Sequence, residues 1–105
     1  MKKTIERIVG YAARVAEPDK IFLFGSLAND TGNVHSDLDL LLVADVDLLL
    51  KKQISEQIKQ YAQELMLGAD VLIYSEAELE NAAQKEPSSF VAGVLKSGKI
   101  IYQKN

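Results

Sequence analysis

The chain has no cysteine and no tryptophan, only 2 prolines and 6 glycines among 105 residues, and a single histidine. Without cysteine there is no disulfide framework, no thiolate metal site and no thiol nucleophile, which fits a reducing, cytoplasmic setting. No apolar run is long enough to span a bilayer. The N-terminal residues Lys2, Lys3, Glu6 and Arg7 are charged within a helical period, unlike a signal peptide. Basic charge is also short: 12 Lys and Arg against 15 Asp and Glu give a net charge of −3. Direct binding to a nucleic-acid backbone is therefore not expected. A polyanionic ligand would have to be held by metal ions or backbone N–H groups.

What remains is enough for one small domain over residues 1–105, burying roughly two-thirds of its extended surface. Ile5, Ile8, Val9, Ala12, Ala13 and Val15 recur at helical spacing and predict an amphipathic helix over residues 2–16, ended before Pro18. Residues 21–24 (Ile-Phe-Leu-Phe) and 38–43 (Leu-Asp-Leu-Leu-Leu-Val) read as buried strands. Between them lies a polar, turn-rich stretch. A long helix is expected over 46–67, with Ile54, Ile58, Tyr61, Ala62 and Leu65 inward and Gly68 as its C′ residue. Residues 71–74 form a third strand. Ser75 and Glu78 have capping-box spacing for a short helix. Pro87 suits the first turn of another helix, carrying Phe90, Val91, Val94 and Leu95. Residues 100–102 end the chain as an edge strand. The order α-β-β-α-β-α-α-β implies an α/β (α+β) fold, a small mixed sheet flanked by helices. Strands one and two pair antiparallel across a loop. Strands two and three are parallel, joined by a right-handed helical crossover.

This topology gathers acidic residues. Asp37 and Asp39 are two apart, so they share a side of the strand with Cα atoms about 6.6 Å apart. Asp70 begins strand three, beside them if the pairing is parallel. Gly25-Ser26 closes strand one at the same end. Crowded carboxylates repel unless cations lie among them. Oxygen ligands of this kind suit Mg²⁺ or Mn²⁺, and two such ions can activate a hydroxyl and stabilise a leaving pyrophosphate. Gly25 and Ser26 could cradle a phosphate through backbone N–H groups and a hydroxyl. Taken singly, a Gly-Ser turn, an Asp-x-Asp strand end and a lone aspartate are ordinary features. Asp45 and Asp47 belong to the start of the long helix instead. His35 and Ser36 read as loop residues without a catalytic role. Leu48-Leu49-Leu50 reads first as a broad core contact and second as a partner-binding surface. The lysines and glutamates of residues 51–64 read as a solvated helical face.

Gly25-Ser26, ten residues, then Asp37-Leu38-Asp39 and an apolar strand resembles the DNA polymerase beta-like nucleotidyltransferase superfamily, and the short chain resembles its minimal nucleotidyltransferase (MNT) subgroup. The resemblance implies two-Mg²⁺ transfer of a nucleoside monophosphate, AMP from ATP being the expected case. It implies Asp37, Asp39 and Asp70 as catalytic metal ligands, with Gly25 and Ser26 holding the triphosphate. It also implies an antitoxin role beside a helical HEPN-type toxin, in a hetero- or homo-oligomer. The sequence departs from the family after Gly-Ser, where two arginines and a glycine are common, as in Gly-Ser-Arg-Ala-Arg-Gly: here those places hold Leu27, Asn29 and Asp30, and only Ala28 matches. Lys51 and Lys52 compensate only if the fold brings them to the site. The alternative is a nucleotide-binding module that neutralises its partner by contact, with weak catalysis.

Overall fold

The structure, a computed structural model, describes residues 2–25, 37–86 and 88–104. Ser26, the rest of the loop to Ser36, and Pro87 lie outside the described residues, and with them the readings of His35 and the loop. The elements are α1 (Lys2–Ala16), β1 (Lys20–Phe24), β2 (Leu38–Val43), α2 (Leu48–Glu64), β3 (Ala69–Tyr74), α3 (Glu76–Lys85), α4 (Phe90–Ser97) and β4 (Lys99–Gln103). The expected order holds. The sheet runs β3-β2-β1-β4, with β1 antiparallel to β2 and to β4, and β2 parallel to β3. Among the described residues, no helix is long and apolar enough to cross a membrane.

β2 carries the fold because it is apolar on both sides. Leu38, Leu40 and Leu42 turn one way and pack with Ile8 and Ala12 of α1 and Ile54 and Ile58 of α2. Leu41 and Val43 turn the other way, onto Leu79 of α3 and Val91 and Val94 of α4. Each fully buried leucine contributes about 1.5–3 kcal/mol of transfer free energy, which pins the register of β2. That register decides where the acidic residues go.

The helix ends differ in detail from the sequence expectation. α2 starts at Leu48, not 46, because Asp47 is its N-cap and accepts from the Leu50 N–H at 2.8 Å. Leu48 and Leu49, expected first as core, are 82% and 68% exposed. They lie in the first turn of α2, before its inward stripe begins at Ile54. Gly68 is not the C′ residue of α2. Met66 is, with φ 65°. The Met66 N–H donates to the Gln63 carbonyl at 2.9 Å, and the Leu67 N–H to the Ala62 carbonyl at 3.0 Å. This pair of bonds is a Schellman closure, placed so that Leu67 is buried in the core. A left-handed conformation at a non-glycine residue costs about 1–2 kcal/mol. Since the Met66 side chain is 92% exposed, Met66→Gly should stabilise the protein by about 0.5–1 kcal/mol, read as a higher urea midpoint with unchanged slope. α4 begins at Phe90, later than the first turn at residue 87 that the sequence predicts, with Ser89 as its N-cap, the hydroxyl accepting from the Ala92 N–H at 3.2 Å.

Candidate active site

β2 and β3 pair in parallel with Asp39 opposite Asp70. Asp37 immediately precedes β2, where the Leu38 N–H donates to the Gly68 carbonyl at 2.8 Å. The Asp39 carboxyl is pushed above the usual carboxylate range, first by its burial and then by the negative charges of Asp70 and Asp37. Two separate segments thus bring acidic groups close enough to act on one another, as the topology predicted.

Two glycines make room for these carboxylates. Phe24, the last residue of β1, pairs with Asp39, so the chain turns at Gly25 directly against it. Gly25 has φ 79°, and a Cβ there would run into the Asp39 carboxylate. A Cβ on Gly68 would stand 2.5 Å from Asp37 Oδ1. Gly68, expected to end a helix, instead leaves space for an acidic side chain.

A cleft of about 700 Å³ opens over Asp39 and Asp70. Gly25 lies at its rim, and Phe24, Tyr74 and Phe90 give it aromatic walls. Phe90, carried by α4, is largely exposed and meets Phe24 edge-to-face at 5.3 Å between centroids. α4 starts at Phe90, so its inward stripe begins one residue later, at Val91.

The cleft also holds Lys59, a cation that the charge pattern of residues 51–64 predicts on a solvated helical face. No motif marks it. Its place depends on how α2 is rotated against the edge of the sheet, which packing alone fixes. Lys51 and Lys52 do not reach the cleft. Lys51 pairs with Glu78 at 2.8 Å, near the C-terminal ends of the parallel strands, while the carboxylates occupy the N-terminal ends. That ion pair, with the Ser75 N–H, holds the Glu78 carboxyl below its usual range. Among the described residues, no three His, Asp or Glu side chains are already gathered into a cage for a metal ion.

The sheet, the paired aspartates and the glycine turn define a nucleotidyltransferase architecture. Residues 6–105 match the family described as Polymerase beta, Nucleotidyltransferase, and the chain belongs to it. It is 33% identical over 84 residues to Methanocaldococcus jannaschii MJ0604, whose name assigns it protein adenylyltransferase activity by inference. The match covers 79% of this chain and 77% of that protein. Among solved structures, a Sulfolobus solfataricus protein, described by inference as a nucleotidyltransferase, superposes with TM-score 0.65 at 17% identity, covering 99% of this chain and 81% of that one. A toxin–antitoxin complex with AMP-PNP gives TM-score 0.61 at 21% identity, covering 95% and 74%. The complex of a tri-AMPylated Shewanella oneidensis HEPN toxin with an MNT antitoxin gives TM-score 0.59 at 18% identity, covering 99% and 74%. These structures share the fold of this chain.

Proposed function

We infer that residues 1–105 work as one minimal nucleotidyltransferase domain that transfers AMP from ATP, with Mg²⁺ (Mn²⁺ also serving), to a hydroxyl of a protein partner, a HEPN-type helical toxin. The observation carrying this is Asp39 facing Asp70 across parallel strands, with Asp37 near enough to raise the Asp39 pKa further. Such a donor set fits a hard divalent cation that takes only one or two carboxylates and draws its other ligands from water and substrate phosphate. Asp37, Asp39 and Asp70 would hold the ions, which when bound neutralise both the carboxylates and the triphosphate.

The chain's own residues do the rest. Gly25, followed in sequence by Ser26, carries no side chain to keep a phosphate away from the turn. Lys59 supplies a positive charge from α2. The apolar face of Phe90 offers a surface for the base ring. Asp70 accepts the proton of the acceptor hydroxyl. The hydroxyl oxygen forms a bond to the α-phosphorus, the bond from that phosphorus to the α,β-bridging oxygen breaks, and pyrophosphate leaves with the electron pair. The test is incubation with ATP labelled at the α-phosphate, Mg²⁺ and the partner protein. Label and an AMP mass increment on the partner are expected; their absence from every partner tried would refute transfer.

Lys59→Met should raise the KM for ATP by about tenfold, the worth of one partly solvated cation near phosphate, and Lys59→Arg should restore most of it. Steady-state kinetics at varied ATP concentration reads both.

A second reading rests on Leu27 and Asn29 standing where relatives in the superfamily commonly have arginines. In it the chain neutralises its partner by contact, and catalysis is weak. The double variant Asp37→Asn, Asp39→Asn separates the two readings. Under transfer it fails to neutralise while still binding the partner; under contact it neutralises as the parent does.

A further inference from the structure

The acceptor needs a place to dock, and β3 offers one. Among the described residues, β3 is an edge strand. The bonds from Leu38 N–H to Gly68 and from Ala44 N–H to the Tyr74 carbonyl fix the phase of the parallel ladder. Even-numbered residues of β3 therefore turn their backbone groups to β2, while Ala69, Val71 and Ile73 turn theirs outward. The Ser55 hydroxyl donates to the outward Val71 carbonyl at 3.3 Å, a side chain standing where a neighbouring strand would donate.

Beside this edge runs an apolar groove of about 690 Å³, between β3 and the first turns of α2. Its wall includes Leu48 and Leu49, 82% and 68% exposed, which nothing in the core explains. Its charged lining among the described residues is Lys51, already paired with Glu78, and Lys52; no carboxylate faces it. Val71, Leu72 and Tyr74 line both this groove and the cleft above Asp39 and Asp70. The groove thus continues into the site of chemistry.

We propose that the outer edge of β3 is the acceptor-docking surface. An extended segment of the partner, carrying apolar and acidic side chains, adds to the sheet beside Val71 and Ile73, its N–H replacing the Ser55 hydroxyl on the Val71 carbonyl, packs on Leu48 and Leu49, and leads its hydroxyl residue into the cleft. An acidic segment matches Lys52 and Lys59. A second copy of this chain does not, because pairing β3 with itself would set the lysines of one groove against those of the other. The proposal rests on the transfer reading for its purpose, but its test does not.

The test uses the full chain, isotopically labelled for amide NMR, and short synthetic peptides: one rich in Ile and Glu with a central Tyr, one with Lys in place of Glu, and one with alternate backbone nitrogens methylated. The Ile/Glu peptide should shift the Val71 and Ile73 amides and slow their exchange. The Lys and methylated peptides should bind at least about tenfold more weakly, as should the Ile/Glu peptide to Leu49→Asp, while ATP affinity stays unchanged in that variant. Leu49 is exposed, so the fold tolerates this change; Leu48→Asp gives a second reading of the same wall. The proposal is overturned if the Ile/Glu peptide does not bind, if its Lys counterpart binds equally well, if the shifted amides lie elsewhere, or if the free chain already dimerises through β3 in sedimentation. Peptide pairing without ATP binding would leave docking intact and remove the transfer reading. AMP transfer to a partner with silent β3 amides would do the reverse.

Discussion

Asp39→Asn should abolish nucleotidyl transfer, by roughly 10³-fold or more, and at the same time make the metal-free protein harder to unfold. Both effects come from one placement. Asp39 is drawn into the protein by its register on β2 and faces Asp70 across the ladder. Its folded pKa lies above the unfolded value. For a carboxyl group this sign means that ionised Asp39 opposes folding. The penalty is fully present above the folded pKa and fades as pH falls from there toward the ordinary value of 3.8. An amide carries no charge to desolvate and no repulsion from Asp70 and Asp37. The variant should therefore melt higher than the parent at neutral pH, and the difference should shrink as acid protonates the parent. Added Mg²⁺ with a non-hydrolysable ATP analogue should raise the parent's melting temperature and do much less for the variant. A variant that melts lower at neutral pH while keeping its fold would contradict the strained-site account; one that retains transfer would remove Asp39 from the chemistry.

The same tension explains which parts of the molecule could be read from the sequence. The core strand could, because Leu38 to Val43 is apolar at every position but Asp39, and no exposed strand would be written that way. The meeting of Asp70 with Asp39 could also be foreseen, since one helical crossover forces a parallel pair and so brings two strand beginnings together. Features that depend on rotation or on fine spacing could not. Lys59 differs from its neighbouring lysines only in how α2 lies on the sheet. Leu48 and Leu49 look like core until the cap at Asp47 shows where the helix begins. Gly68 has the residue type and place of a helix terminator, yet Met66 accepts the strained turn instead. Burial of Leu67 and the space needed by Asp37 outweigh the cost of a methionine at positive φ. In each case a local preference lost to a demand from the core or the site.

Gly25→Ala tests that demand most directly. The new methyl group meets two obstacles at once: φ 79° is unfavourable for any L side chain, and the space is filled by the Asp39 carboxylate. The backbone term alone costs about 1–2 kcal/mol. Moving Asp39 adds a further loss, and a carboxylate displaced by about 1 Å costs roughly 10²-fold in rate. The variant should thus be both less stable and about a hundredfold slower, whereas Gly10→Ala, on α1 with nothing near its added carbon, should stabilise by up to about 1 kcal/mol. A cycle with Asp39→Ala divides the two terms. Where Asp39 is already gone, the alanine at 25 has no carboxylate to displace, and its cost to stability should fall to the backbone term. Strict additivity in that cycle would show that Gly25 is required for its turn alone. A shortfall in the double variant's loss would show that the glycine is there because the carboxylate is.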